Sequence, residues 1–170
     1  MNKNFIYGIA KVTFGDFVLG YIEKNSWEWG GSKPESVDIE AEQVPDAPVL
    51  TLLQKNAQVS PSFNLIQLNY ENMVNILGGE LVGTKLKPTG WKAPADLVQK
   101  SGAWKIEFVS GQIMTIPNGT ILASLGGKLT LTEVSKLECQ LKINKPENGG
   151  APYEINDAPA PTSTGSVPGA

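Results

Sequence analysis

From Trp104 onward the chain is cut into short β-rich runs by turn signals about every 8 to 10 residues, a spacing that points to an antiparallel sandwich or barrel. The runs are WKIEFV, QIMTI, TILASL and KLTLTEVSKLECQLKIN, and the breaks between them are Ser110-Gly111, Pro117-Asn118-Gly119 and Gly126-Gly127. In the last run Leu137, Cys139, Leu141 and Ile143 alternate with Glu138, Gln140 and Lys142, so a strand there turns the first set toward a core. Cys139 is the only cysteine, which excludes a disulfide within one chain, and its place in this pattern reads as a buried, inert thiol.

The beginning of the chain has the same character. Residues 5–24 form two β-rich runs joined at Gly15-Asp16, a dipeptide suited to a tight hairpin. In the first, Ile6, Ala10, Val12 and Phe14 are expected on one face and Lys11 and Thr13 on the other. Gly30-Gly31 and Pro34 then break the chain before a run from Ser36 to Val44, bounded by Pro45 and Pro48. A further run, QVSPSFNLIQL, carries Pro61, whose missing N–H predicts an edge or bulge. One short helix is predicted over 69–78: Asn69 caps it, Glu71 lies in its first turn, and Gly78-Gly79 ends it. Tyr70, Met73, Val74 and Leu77 would form its apolar stripe. Residues 79–103 mix Gly, Pro and Lys and read as a long contact-making loop. The organisation is therefore a mainly β domain over 1–144 with one flanking helix. A Pro- and Gly-rich arm over 145–170 follows, holding five prolines in 26 residues and too few large aliphatics to fold alone.

Composition narrows the chemistry. The 170 residues suit one domain, and at 18% charged residues the surface carries less charge than average, as expected where contacts with other subunits cover it. All 14 cationic residues are Lys, and the net charge is −3 with a pI near 5.0, which argues against base recognition by bidentate Arg. With no His the usual general acid–base group and commonest metal ligand are missing, and a Ser-His-Asp triad cannot be built; no enzyme, cofactor or metal site is expected. No apolar run reaches the ~20 residues of a membrane-spanning helix, and the N-terminus lacks the apolar stretch of an export signal.

The order of elements resembles the tail tube family of long-tailed bacteriophages and related contractile injection systems. The resemblance rests on the opening hairpin IYGIAKVTFGDFVLGYIEK, the central VDIEAEQVPDAPV followed by VSPSFNLIQLNYENMVNILGG, and the closing series from GQIMTIPNGTI to LECQLKIN. It implies a β-sandwich with one flanking helix, assembled as homohexameric rings whose inner strands join into a β-barrel around a channel. Stacked rings would form a tube in the virion tail, made in the cytoplasm of a bacterial host. Its partners would be other copies of the chain, a tape-measure protein, tail completion proteins, in contractile systems a sheath, and DNA in non-specific passage. Residues 79–103 and the C-terminal arm have no counterpart in the match, so the type of tail stays open. The alternatives are the tube subunit of an injection system, or a monomeric β-sandwich that binds sugars through exposed Trp.

Three groups of residues are candidates for a role. Asp38, Glu40 and Glu42 alternate with Val37, Ile39 and Ala41, which reads either as a solvated strand face or, given the resemblance, as an acidic channel lining. Trp27 and Trp29 share a face with Glu28 opposite, and serve either core packing or an anchor between subunits. Lys85, Lys87 and Lys92 around Trp91 could pass for a nucleic-acid patch, but the acidic whole favours a loop that meets acidic residues of the next ring.

Overall fold

The computed structural model describes residues 4–159. In chain order its elements are β1 (Ile9–Phe14), β2 (Phe17–Val18), β3 (Glu35–Ile39), β4 (Leu50–Lys55), β5 (Ser62–Leu65), α1 (Tyr70–Leu77), β6 (Glu80–Thr84), β7 (Lys87–Lys92), β8 (Lys100–Phe108), β9 (Gln112–Gly126), β10 (Lys136–Ile143) and β11 (Glu154–Asp157). The protein is mainly β and every strand pairing is antiparallel, as expected. The main sheet has the order β2-β1-β8-β9-β10-β5, with β11 added to β9, and it stays open in a single chain. Two small hairpins, β3–β4 and β6–β7, lie off this sheet. No helix among the described residues is long and apolar enough to cross a membrane.

Alternation builds the core. Val12 and Phe14 of β1, Trp104, Ile106 and Phe108 of β8, and Met114 and Ile116 of β9 point inward from one half of the sheet. Phe63 and Leu65 of β5 and Leu137, Cys139 and Leu141 of β10 do so from the other. Burial pushes the Cys139 thiol up to about 12, so it stays protonated and unreactive at neutral pH.

Pro117-Asn118-Gly119 does not make the expected turn. β9 runs straight through it, and the pairing with β8 slips there: Gly102 faces Gly119 while Trp104 faces Ile116. That slip is a bulge, in which Pro117 has no ladder bond to lose. Phe14 stacks on Trp104 at 4.3 Å, and Trp104 Nε1 donates to the Gly119 carbonyl at 3.1 Å. A Cβ at position 119 would stand 2.7 Å from Trp104 Cδ1 and 3.0 Å from Leu141 Cδ1, so only glycine fits. Gly119→Ala is expected to cost about 1–3 kcal/mol as an overpacked core. Urea titration would show this as a lower midpoint at unchanged slope, and an unmoved midpoint would mean the seam has room to spare.

The opening hairpin forms as predicted, with Gly15 in the left-handed conformation at φ 58°. The expected inward set is corrected at its start: β1 bulges between Ile9 and Lys11, so Ile9 packs against the core while Ile6 and Ala10 are exposed. Pro61 precedes β5, which ends the order of the main sheet, as its missing donor predicts. Isolated bridges Ile22–Leu65 and Glu28–Ser62 lay residues 22–28 along that strand.

The helix is capped by Asn69, whose side chain accepts from the Asn72 N–H at 2.8 Å. Its buried face is Asn72 and Ile76, not the expected Tyr70, Met73, Val74 and Leu77 stripe, of which Tyr70 is exposed and the others half-buried. The helix meets both the main sheet and the β6–β7 hairpin, so it is covered on more than one side; Leu77 packs against the core, and Asn72 Nδ2 donates to the Gln67 carbonyl at 3.2 Å.

Residues 79–103 are not one loop, because 80–92 form the β6–β7 hairpin and β8 begins at Lys100. The run from Ser36 to Val44 is a strand only as far as Ile39, and the segment from Lys128 to Ser135 is irregular ahead of β10. Within the expected arm over 145–170, the Gly149 N–H donates to the Pro146 carbonyl in a turn, and Glu154–Asp157 forms β11 on the edge of β9 beside Gln112–Thr115. Residues 160–170 of the arm lie outside the described part.

Candidate functional site

The β3–β4 hairpin is the least supported part of the described structure. Every residue of both strands is exposed, and among the described residues neither strand pairs with anything except the other. Val37 faces Leu52 and Ile39 faces Leu50, which puts four apolar side chains on one face. Asp38 and Thr51 lie opposite each other on the second face, and Thr51 Oγ1 donates to Asp38 Oδ1 at 2.6 Å. The Val49 N–H donates to the Ile39 carbonyl at 2.8 Å and closes the loop side of the hairpin. A two-stranded hairpin with one bare apolar face is marginal in water. Covering that face would add to its stability.

The three acids expected on one strand face are only partly brought together. Asp38 is on β3, Glu40 is the first residue past it, and Glu42 sits in a turn where the Val44 N–H donates to the Ala41 carbonyl at 2.9 Å. Pro45 and Pro48, which lack N–H groups, keep the strand from extending through this stretch. All three carboxylates are exposed.

The two tryptophans do share a face, with ring centroids 6.4 Å apart and planes at 87°. Trp27 stacks on Phe63 at 5.4 Å and belongs with the core packing; Trp29 leans on Phe108 at 6.1 Å and is 42% exposed. Trp27 Nε1 is buried and has no acceptor among the described residues.

Lys85, Lys87 and Trp91 do not form one cluster. Lys85 and Lys87 flank Leu86 at the tip of the β6–β7 hairpin, where Leu86 is fully exposed. Trp91 is near the other end of β7 and donates through Nε1 to the Gly78 carbonyl at 2.8 Å, pinning the hairpin to the end of α1. That bond lies within the chain, and the indole is half-buried. A further apolar surface, not foreseen from local pattern, is the irregular loop at 127–135, where Leu129 and Leu131 are exposed. Its alternating pattern reads as a strand, and only the absence of a partner strand reveals it as a loop.

At the base of that loop Lys136 Nζ meets Glu23 at 3.0 Å, and Asn64 Nδ2 donates to the same carboxylate at 2.6 Å. The Asn64 hydrogen bond, followed by that of Lys136, holds Glu23 below the usual glutamate range. A carboxylate with a depressed folded pKa adds stability that is complete above its unfolded pKa and is lost as pH falls through the folded value. Lys136→Met combined with Asn64→Leu is expected to flatten the acid limb of a stability–pH curve, measured by urea midpoints from neutral pH into the acid range. An acid limb identical to that of the parent chain would show that the contacts are too solvated to matter.

Among the described residues no three His, Cys, Asp or Glu side chains are grouped to hold a metal ion. What the candidate residues present is the exposed apolar face of the β3–β4 hairpin, carboxylates on and just after β3, and lysines at the tip of the β6–β7 hairpin. No family model matches the chain, and no curated protein compared with it matches.

Proposed function

We propose that the chain is a structural subunit that assembles with copies of itself into stacked rings around a channel, as in the phage tail tubes its sequence resembles. The observation that carries this reading is the β3–β4 hairpin, with two unpaired edges and the exposed Val37, Ile39, Leu50 and Leu52 face. Pairing hairpin to hairpin between copies satisfies the edges, and the apolar face then packs on neighbouring chains. Asp38, with Glu40 and Glu42 beside it, faces the opposite way and supplies the channel lining. A ring of such carboxylates repels phosphates, so DNA slides through without sticking, and a tape-measure protein occupies the channel before that.

Electron microscopy of the purified chain at high concentration tests the reading. Rings or tubes with a central channel are expected, six-fold if the resemblance holds. Asp38, Glu40 and Glu42 on the outer wall of such a tube would end the channel assignment. The half-exposed Trp29 favours one other reading, a monomer that stacks sugars on its indole. Persistent monomer together with glycan-array binding would favour it.

A further inference from the structure

β9 is 15 residues long, and its two sides are covered unequally. β8 runs beside residues 113–121 on one side, while on the other β10 reaches only residues 119–126. β11 takes part of the gap, pairing Glu154 with Thr115, Ile155 with Met114, Asn156 with Ile113 and Asp157 with Gln112. The Ala158 N–H continues the ladder with a bond to the Gly111 carbonyl at 3.0 Å. Backbone groups of successive residues in an antiparallel strand face alternate sides, so Ile113 and Thr115 turn theirs toward β11 and Met114 toward β8.

The edge beneath β11 is a hazard, and its cover is light. Residues 109–127 carry no charge, and Ile113, Met114, Thr115 and Ile116 form a β-prone run within them. An open edge of that composition is a template for strands of other chains. β11 replaces it with an edge that carries Glu154 and Asp157 and pairs with no further strand among the described residues. Yet all four β11 side chains are exposed, and only Tyr153, just before the strand, packs partly against the core. The tether is fixed at its start, where Asn144 donates from its backbone N–H to the Asn118 carbonyl at 2.9 Å and from Nδ2 to Thr120 Oγ1 at 2.7 Å. Pro146, Gly149, Gly150 and Pro152 follow before β11 begins. Lifting β11 therefore breaks a few backbone bonds and the Tyr153 contact and moves no strand of the main order, and segments tied in this way open far more readily than the core.

We propose that β11 is a detachable edge guard. It opens without unfolding of the sheet, and while closed it keeps residues 111–115 of the β9 side from accepting a strand of another chain. This device does not depend on the β3–β4 hairpin or on the reading of the chain as a tube subunit.

Two measurements on the full chain test it, both in chains that carry Val37→Asp and Leu52→Asp to block pairing through the β3–β4 hairpin. In native-state hydrogen exchange, corrected for intrinsic rates, the Ile113 and Thr115 amides are expected to exchange at least about 100-fold faster than that of Met114 and to ignore low urea, while Met114 follows the urea dependence of the whole sheet. Asn156→Pro then removes the N–H that faces the Ile113 carbonyl in the middle of β11. It should leave the thermal midpoint of the core in place and lower the concentration at which thioflavin-binding aggregates appear by about tenfold, whereas Asn156→Ala should match the parent. Adding Thr115→Lys to the proline variant puts a charge on the bared edge and should restore the parental threshold. A shared urea dependence of the three amides overturns independent opening. A proline variant as soluble as the parent, or one that Thr115→Lys fails to rescue, overturns the guard, and none of these results bears on assembly through the hairpin.

Discussion

Trp104→Ala should remove about 3–5 kcal/mol of stability, a cost typical of deleting a fully buried indole. Trp104 is 1% exposed, stacks on Phe14, and ties the β8 strand to the bulge of β9 through the Gly119 carbonyl. A domain of this size is stable by about 5–15 kcal/mol in total, so this one change takes a large share of the margin. Trp104→Phe separates the contributions. It keeps a ring against Phe14 but loses the indole hydrogen bond to the Gly119 carbonyl, at about 0.5–1.5 kcal/mol. Denaturant titration of the three chains should rank them in that order. A loss below about 1 kcal/mol for the alanine variant would mean that the two halves of the sheet do not depend on this seam.

The second large effect is on assembly. Val37→Asp with Leu52→Asp places two carboxylates at cross-strand positions on the apolar face of the β3–β4 hairpin. Covering a half-exposed aliphatic contributes on the order of 1 kcal/mol, and burying a carboxylate in its place costs at least as much again. Together the two changes should raise the threshold for ring or tube formation by about 100-fold or more, read by sedimentation and microscopy. The monomer should keep its thermal midpoint, because the hairpin contributes no residue to the buried core. Assembly at the parental threshold would show that this face stays in solvent and would remove the main support for the proposed function.

How much of this was legible in the sequence depended on whether a signal was local. The Asn69 cap, the Gly15-Asp16 turn and the inward alternation of Leu137, Cys139 and Leu141 need only neighbours a few residues away, and each stands where it was expected. Pro117-Asn118-Gly119 has the composition of a turn, yet it is a bulge because strands on both sides hold β9 straight past it. β4 escaped notice because Leu50, Leu52 and Leu53 break any strict alternation and its partner is β3, beyond a Pro-rich loop. The β6–β7 hairpin hid in a Gly-, Pro- and Lys-rich stretch, and β11 is held through its backbone, with all four side chains exposed. The acidic alternation from Asp38 to Glu42 was plain, but no local rule showed that the strand would stop at Ile39. The Trp91 role was equally out of reach, since its acceptor is a carbonyl at the end of α1.

The pairing of β1 with β8 and of β5 with β10 also governs how the chain comes off a ribosome. Neither early strand can find its partner until residues beyond 100 or 136 have been made, and a topology so dominated by distant contacts folds in milliseconds to seconds. The β3–β4 hairpin needs no such partner and can close while the rest of the chain is still being synthesised. Nascent copies on one messenger would then expose open-edged hairpins to each other before their cores exist, so the yield of folded chains depends on keeping those young chains apart.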